Sequence, residues 1–85
     1  VGSYIPDDDA EALFQRLREL RLDIARELGK PPYIVFSDKT LRDMVRVKPI
    51  TDDQFLAVNG VGESKLKQYG ERFMAAIRED SGDEA

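Results

Sequence analysis

Leu13, Leu17, Leu20, Ile24 and Leu28 recur at steps of three and four, the spacing of one apolar face on a helix. The pattern predicts an amphipathic helix from about residue 10 to Leu28. Asp7 to Asp9 supply an N-cap and favourable charge at its start, Gly29 stands at the natural C′ position, and Pro31 blocks continuation. At about 100° per residue the stripe centres near Ile24. Arg18 and Arg21 then lie on one flank with Phe14, Glu19, Asp23 and Glu27 on the other, and Leu22 points away from the core. Next comes Lys30-Pro31-Pro32-Tyr33-Ile34-Val35-Phe36, two prolines and four bulky apolar residues. Each proline fixes its own φ and disfavours helix in the residue before it. The apolar run suits a strand by propensity, but the chain offers no second strand to pair with it. The expected form is an extended bridge that lies over helices and buries most of its side chains.

Ser37 is placed to cap a second helix through about Val45, with Phe36 and Leu41 spaced as a hydrophobic staple. Lys48-Pro49 ends it. Thr51-Asp52-Asp53-Gln54 reads as a capping box opening a short third helix, with Ile50 and Phe55 as its staple and Asn59-Gly60 as its stop. A fourth helix is expected from about Glu63 to Tyr69. Gly70 would separate it from a fifth, in which Phe73, Met74 and Ile77 share a face. The fold class is therefore all-α: a compact bundle of about five short helices, an extended Pro-Pro-Tyr bridge between the first and second, and a helix-hairpin-helix-like turn. Residues 1–7 would form an N-terminal arm, 8–80 the helical domain and 81–85 an acidic tail.

With 85 residues, one modest core is expected. The chain holds no cysteine and no histidine, which removes disulfides, thiolate metal sites and the commonest general base. The net charge of −4 is unevenly spread. All thirteen basic residues fall between Arg16 and Arg78, where nine acids accompany them, so the body carries +4 and the two flanks −8. A mildly basic body suits nucleic acid, and acidic flanks oppose it. Asp7-Asp8-Asp9 and Asp52-Asp53 have the look of metal-binding carboxylates, yet both sit where helix N-termini favour acids. Catalysis, a cofactor and a metal are not expected, nor is a membrane segment.

Two stretches remain as candidates for function. In Val58-Asn59-Gly60-Val61-Gly62-Glu63-Ser64-Lys65, two glycines around one aliphatic residue allow a tight reversal between short helices, with Val61 as its core anchor. Read structurally, it is only a turn. Read functionally, the backbone N–H groups at Gly60 and Gly62 hold a phosphate, helped by Lys65 and Lys67 and opposed by Glu63. Tyr33, on a proline-stiffened loop, either bridges two helices half-buried or offers its ring face to a nucleobase, with Lys30 and Lys39 tracking the backbone.

Several motifs in order resemble one family. Leu13-Phe14-x-x-Leu17-Arg18-x-Leu20-Arg21, Pro31-Pro32-Tyr33-Ile34-Val35-Phe36-Ser37-Asp38-x-Thr40-Leu41, Pro49-Ile50-Thr51, Val58-Asn59-Gly60-Val61-Gly62 and Phe73-x-x-x-Ile77-Arg78 are similar to the HRDC domain, the helicase-and-RNase-D C-terminal module. Those of bacterial RecQ-type DNA helicases resemble it most. The resemblance implies a small helical bundle without catalytic activity, carried by an ATP-dependent DNA helicase of DNA repair and recombination in the bacterial cytoplasm and nucleoid. It implies weak contact with single-stranded or structured DNA through Tyr33, through Arg18 and Arg21 on the first helix, and through Lys65. Two departures, Lys30 at a commonly aliphatic position and Leu22 at an often basic one, point to an alternative. In that alternative a monomeric domain docks on the helicase core or another protein through Leu22, Val35, Glu19, Asp23 and Glu27.

Overall fold

A computed structural model describes residues 8–80. The arm expected over 1–7 and the tail expected over 81–85 lie outside the described residues. Helix α1 spans Asp8–Leu28, α2 Pro32–Val35, α3 Asp38–Val47 and α4 Asp52–Leu56. The last rod, α5, covers 63–80 and runs without a break through Glu63–Lys65, a π turn at Leu66–Gly70, and Glu71–Asp80. The fold is all-α, and no strand occurs among the described residues.

Local chemistry explains most boundaries. At the end of α1 the Lys30 N–H donates to Ala25 O (3.0 Å) and the Gly29 N–H to Arg26 O (3.2 Å), a Schellman closure. The Ser37 hydroxyl accepts from Thr40 N–H at 3.1 Å, and Phe36 and Leu41 are both buried, as their staple spacing predicts. The last bond of α3 runs from the Lys48 N–H to Met44 O at 2.7 Å, and the left-handed φ of 52° at Lys48 then turns the chain out of the helix before Pro49. The Thr51 hydroxyl accepts from Gln54 N–H, while Gln54 Oε1 accepts from Ile50 N–H at 2.9 Å.

Three expectations need correction. Gly70 does not separate two helices. A Cβ there would lie 2.6 Å from Leu66 Cδ1 and 3.5 Å from Phe55 Cδ2, so the missing side chain serves close packing inside a continuous rod. The inward face of α1 is also turned from its expected centre. Leu13, Phe14, Leu17, Arg21, Ile24 and Ala25 are buried, while Leu20, at the far edge of the expected stripe, is only half-buried; Leu28, in the last turn, is 46% exposed. The reason is that α2 and α3 pack on the flank carrying Phe14 and Arg21, and α5 packs on the other. Finally, the Pro-Pro-Tyr link is not extended throughout; its middle is the helical turn α2.

The core is continuous through all five helices and centres on rings. Phe36 meets Phe73 edge-on at 5.1 Å between centroids, Tyr69 at 5.7 Å and Phe55 at 6.1 Å. Such pairs add about 0.5–1.5 kcal/mol each beyond area burial. Arg72 clamps Glu27 with two hydrogen bonds of 2.9 and 3.2 Å, joining α5 to α1, and Arg78 donates to Ile50 O at 2.9 Å.

Candidate nucleic-acid interface

α2 follows directly from its two prolines. Pro31, which precedes a proline, is extended at φ −63° and ψ 147°. Pro32 takes the first helical position, where its fixed φ is preorganised and its missing N–H costs nothing. Ile34 N–H donates back to Pro31 O at 3.0 Å, and the chain leaves the turn extended at Phe36. With four residues the turn has two sides. Val35 and Phe36 go into the core, fully or almost fully buried, whereas Tyr33 is 69% exposed and Ile34 38% exposed. Val35, an expected docking residue, therefore belongs to no surface.

Cations from two other elements meet the carbonyls at the end of this turn. Lys65 Nζ donates to Val35 O at 2.7 Å and also to Ile34 O, and it lies 5.5 Å from the Phe36 ring centroid and 5.7 Å from that of Tyr69. Loss of solvent pushes its ammonium below the usual lysine pKa. Arg21 donates to Phe36 O at 3.0 Å and pairs with Asp38 Oδ1 at 2.8 Å. Arg21 is buried and Lys65 half-buried, and each donates to backbone carbonyls where phosphate contacts are expected.

Among the described residues, seven of the thirteen basic side chains are taken up inside the domain: Arg16, Arg21, Arg42, Arg46, Lys65, Arg72 and Arg78. Arg18, Arg26, Lys30, Lys39, Lys48 and Lys67 make no ion pair with another described residue and are exposed. Arg18 lines a groove of about 230 Å³ with Gln15, Glu19, Arg21, Leu22 and Pro32, beside the Tyr33 turn. Lys30 immediately precedes the two prolines, and Lys39 lies in the first turn of α3. Lys67, by contrast, lines a separate groove between α4 and α5 with Ile50, Leu66, Glu71 and Met74.

The hairpin turn is built from other parts. Asn59 N–H donates to Asp43 Oδ2 at 2.8 Å. Gly60 has φ 89°, and a Cβ there would collide with Thr40 Oγ1, so close approach to α3 demands glycine. Val58 is buried and Val61 only half-buried, so the core anchor lies three residues earlier than expected. Gly62 is exposed at the start of α5, followed by exposed Glu63.

The acidic residues of the docking alternative also separate. Glu27 is tied to Arg72, whose hydrogen bond holds its carboxyl below the ordinary glutamate pKa. Glu19 and Asp23 line a charged groove between α1 and α5 with Arg16, Arg72 and Glu79. Leu22, 39% exposed, shares the groove of Arg18 and Pro32. Ile34, 38% exposed, is a surface residue outside the candidate sites named from the sequence. Proline at a first helical position, two residues before Ile34, is the signal that could have placed Ile34 on a helical turn.

Against known proteins, the HRDC domain profile matches residues 10–77. This chain belongs to the HRDC family. It is 49% identical over 79 residues to ATP-dependent DNA helicase RecQ of Haemophilus influenzae, covering 93% of this chain and 12% of that one. The RecQ helicase of Bacillus subtilis is 47% identical over 68 residues, covering 80% and 12% respectively. Among solved structures, D. radiodurans RecQ HRDC domain 3 superposes with a TM-score of 0.80 at 34% identity, over 82% of this chain and 92% of that domain. The HRDC domain is a non-catalytic accessory part of RecQ helicases. This chain spans only 12% of the length of either helicase. No described helix of the HRDC domain is long and apolar enough to cross a membrane.

Proposed function

We propose that this HRDC domain is the DNA-contacting accessory module of a RecQ-type helicase, acting in DNA repair and recombination at the bacterial nucleoid. It adjusts which DNA structures the helicase engages, through weak contact with single-stranded or structured DNA. The observation that carries this reading is Tyr33, an aromatic ring 69% exposed on a turn whose other end, Val35 and Phe36, is buried in the core. A ring held on a short, braced turn loses little entropy when a base stacks on it, and stacking tolerates any base. Lys30, Lys39 and Arg18, the last also facing the Phe14 ring at 5.9 Å, supply exposed positive charge around the turn and would follow the phosphates. Phosphate capture at Gly60 and Gly62 receives less support, because Lys65 is engaged elsewhere and Glu63 stands at the opening.

A second reading, docking on the helicase core, rests on Leu22 and Pro32 lining one groove beside Tyr33, with Glu19 at its edge. One experiment separates the two. A fluorescently labelled oligothymidylate is titrated at low and moderate salt against the wild type, Tyr33→Ala and Leu22→Glu, with cross-linking to the helicase core measured in parallel. The DNA reading expects Tyr33→Ala to weaken binding by about 5- to 100-fold, as loss of one stacked base does. No binding by the wild type at low salt, or no effect of Tyr33→Ala, overturns it. Cross-linking that Leu22→Glu abolishes then favours docking.

A further inference from the structure

The turn that carries Tyr33 has almost no stability of its own. Four residues are far below the length at which a helix forms alone, and no side chain caps its N-terminus. What holds it comes from outside: three successive carbonyls, Ile34 O, Val35 O and Phe36 O, receive the Lys65 ammonium from α5 and the Arg21 guanidinium from α1. Positive charge at a helix C-terminus satisfies carbonyls that have no partner within the helix and complements its dipole. Both cations approach from the inner side, next to buried Val35 and Phe36, and Lys65 also faces the Phe36 and Tyr69 rings.

We propose that Lys65 and Arg21 are positioning residues: they touch no nucleic acid, and they clamp the α2 turn from α5 and from α1 so that the Tyr33 ring is presented in one orientation. The inference rests on the reading of Tyr33 as the base-stacking residue, and its consequence is that two basic residues expected at phosphates act through the protein backbone.

Lys65→Met tests it on the 85-residue chain, keeping the length of the side chain and removing its charge. Without DNA, exchange of the Ile34 amide, which closes the turn onto Pro31 O, should accelerate at least about tenfold, while core amides at Leu17 and Phe73 keep their protection. With labelled oligothymidylate, affinity should fall by about three- to tenfold, and the slope of log affinity against log salt should stay at the wild-type value. Lys39→Ala, which removes an uncommitted charge, should instead lower that slope by about one unit. Lys65→Arg, which can still donate to both carbonyls, should restore protection and affinity. A slope reduced by about one in Lys65→Met makes Lys65 a phosphate contact and overturns the proposal. Unchanged Ile34 exchange overturns the clamp whatever DNA does. Faster exchange with unaltered affinity overturns the positioning role if Tyr33→Ala weakens binding. If Tyr33→Ala does not weaken it, faster exchange keeps the clamp and the stacking reading fails instead.

Discussion

The α2 turn and the hairpin at 57–62 invite comparison, because both combine backbone irregularity with nearby lysines and both lead from one helix to the next. They solve opposite problems. α2 sends Val35 and Phe36 into the core and leaves a large aromatic ring outside, held by cations that reach in from α1 and α5. The hairpin places its distinctive residues against the protein itself: Asn59 on Asp43, Gly60 on Thr40, Val58 in the core. An aromatic braced by Arg21 and Lys65 is held outside the packed core. A glycine turn consumed by packing is a joint.

The largest test of this contrast removes the ring on which α2 is seated. Phe36→Ala deletes the partner of Phe55, Tyr69 and Phe73, and should cost about 3–5 kcal/mol in urea unfolding. Val61→Ala, at the expected but only half-buried anchor of the hairpin, should cost no more than about 1 kcal/mol. Equal losses would mean that the two turns share one kind of anchorage. Gly60→Ala comes next. The left-handed backbone costs a non-glycine residue about 1–2 kcal/mol, and the new Cβ must displace the Thr40 hydroxyl. A destabilisation below about 0.5 kcal/mol would show that the hairpin is looser against α3 than its geometry requires.

These residues also show what could be read from the sequence. The helices and their caps followed from spacing that local physics enforces: Ser37 and Thr51 act on amides three residues away, and Pro31 and Pro49 stop helices wherever they stand. The link at 30–36 departs from the extended form expected of it because a proline disfavours helix in the residue before it and not at its own position. Only Pro31, the residue before a proline, is restrained in that way, whereas Pro32 opens a helix. The contacts of the candidate residues were less legible than the helices. Tyr33 is exposed, but Arg21 and Lys65 turn inward for reasons no local window contains: Arg21 because α2 and α3 settle on its flank of α1, Lys65 because the α5 rod begins beside α2. A lysine meeting carbonyls about 30 residues away in sequence looks identical, in one dimension, to a lysine meeting phosphate.

The smallest effect expected is also the one that separates the two turns by chemistry alone. The Asp43 carboxylate accepts from Arg46 Nε and from Asn59 N–H, each at 2.8 Å, and these two bonds hold its pKa below the ordinary aspartate value of 3.8. The folded protein thus binds this proton less readily than the unfolded chain. The stabilisation is complete above that ordinary value and fades as pH falls through the lower folded one. The Asn59 amide shift, followed by NMR between about pH 6 and 2, should titrate with a midpoint below 3.8, and Asp43→Asn should abolish the transition. Through the same range the Ile34 amide should not move, because the Lys65 ammonium donates to backbone carbonyls that do not titrate and stays charged in acid. Acid would then loosen the joint and leave the presented ring in place. Simultaneous titration of Asn59 and Ile34 would show instead that the two turns open as one unit, with the carboxylate rather than the cations governing both.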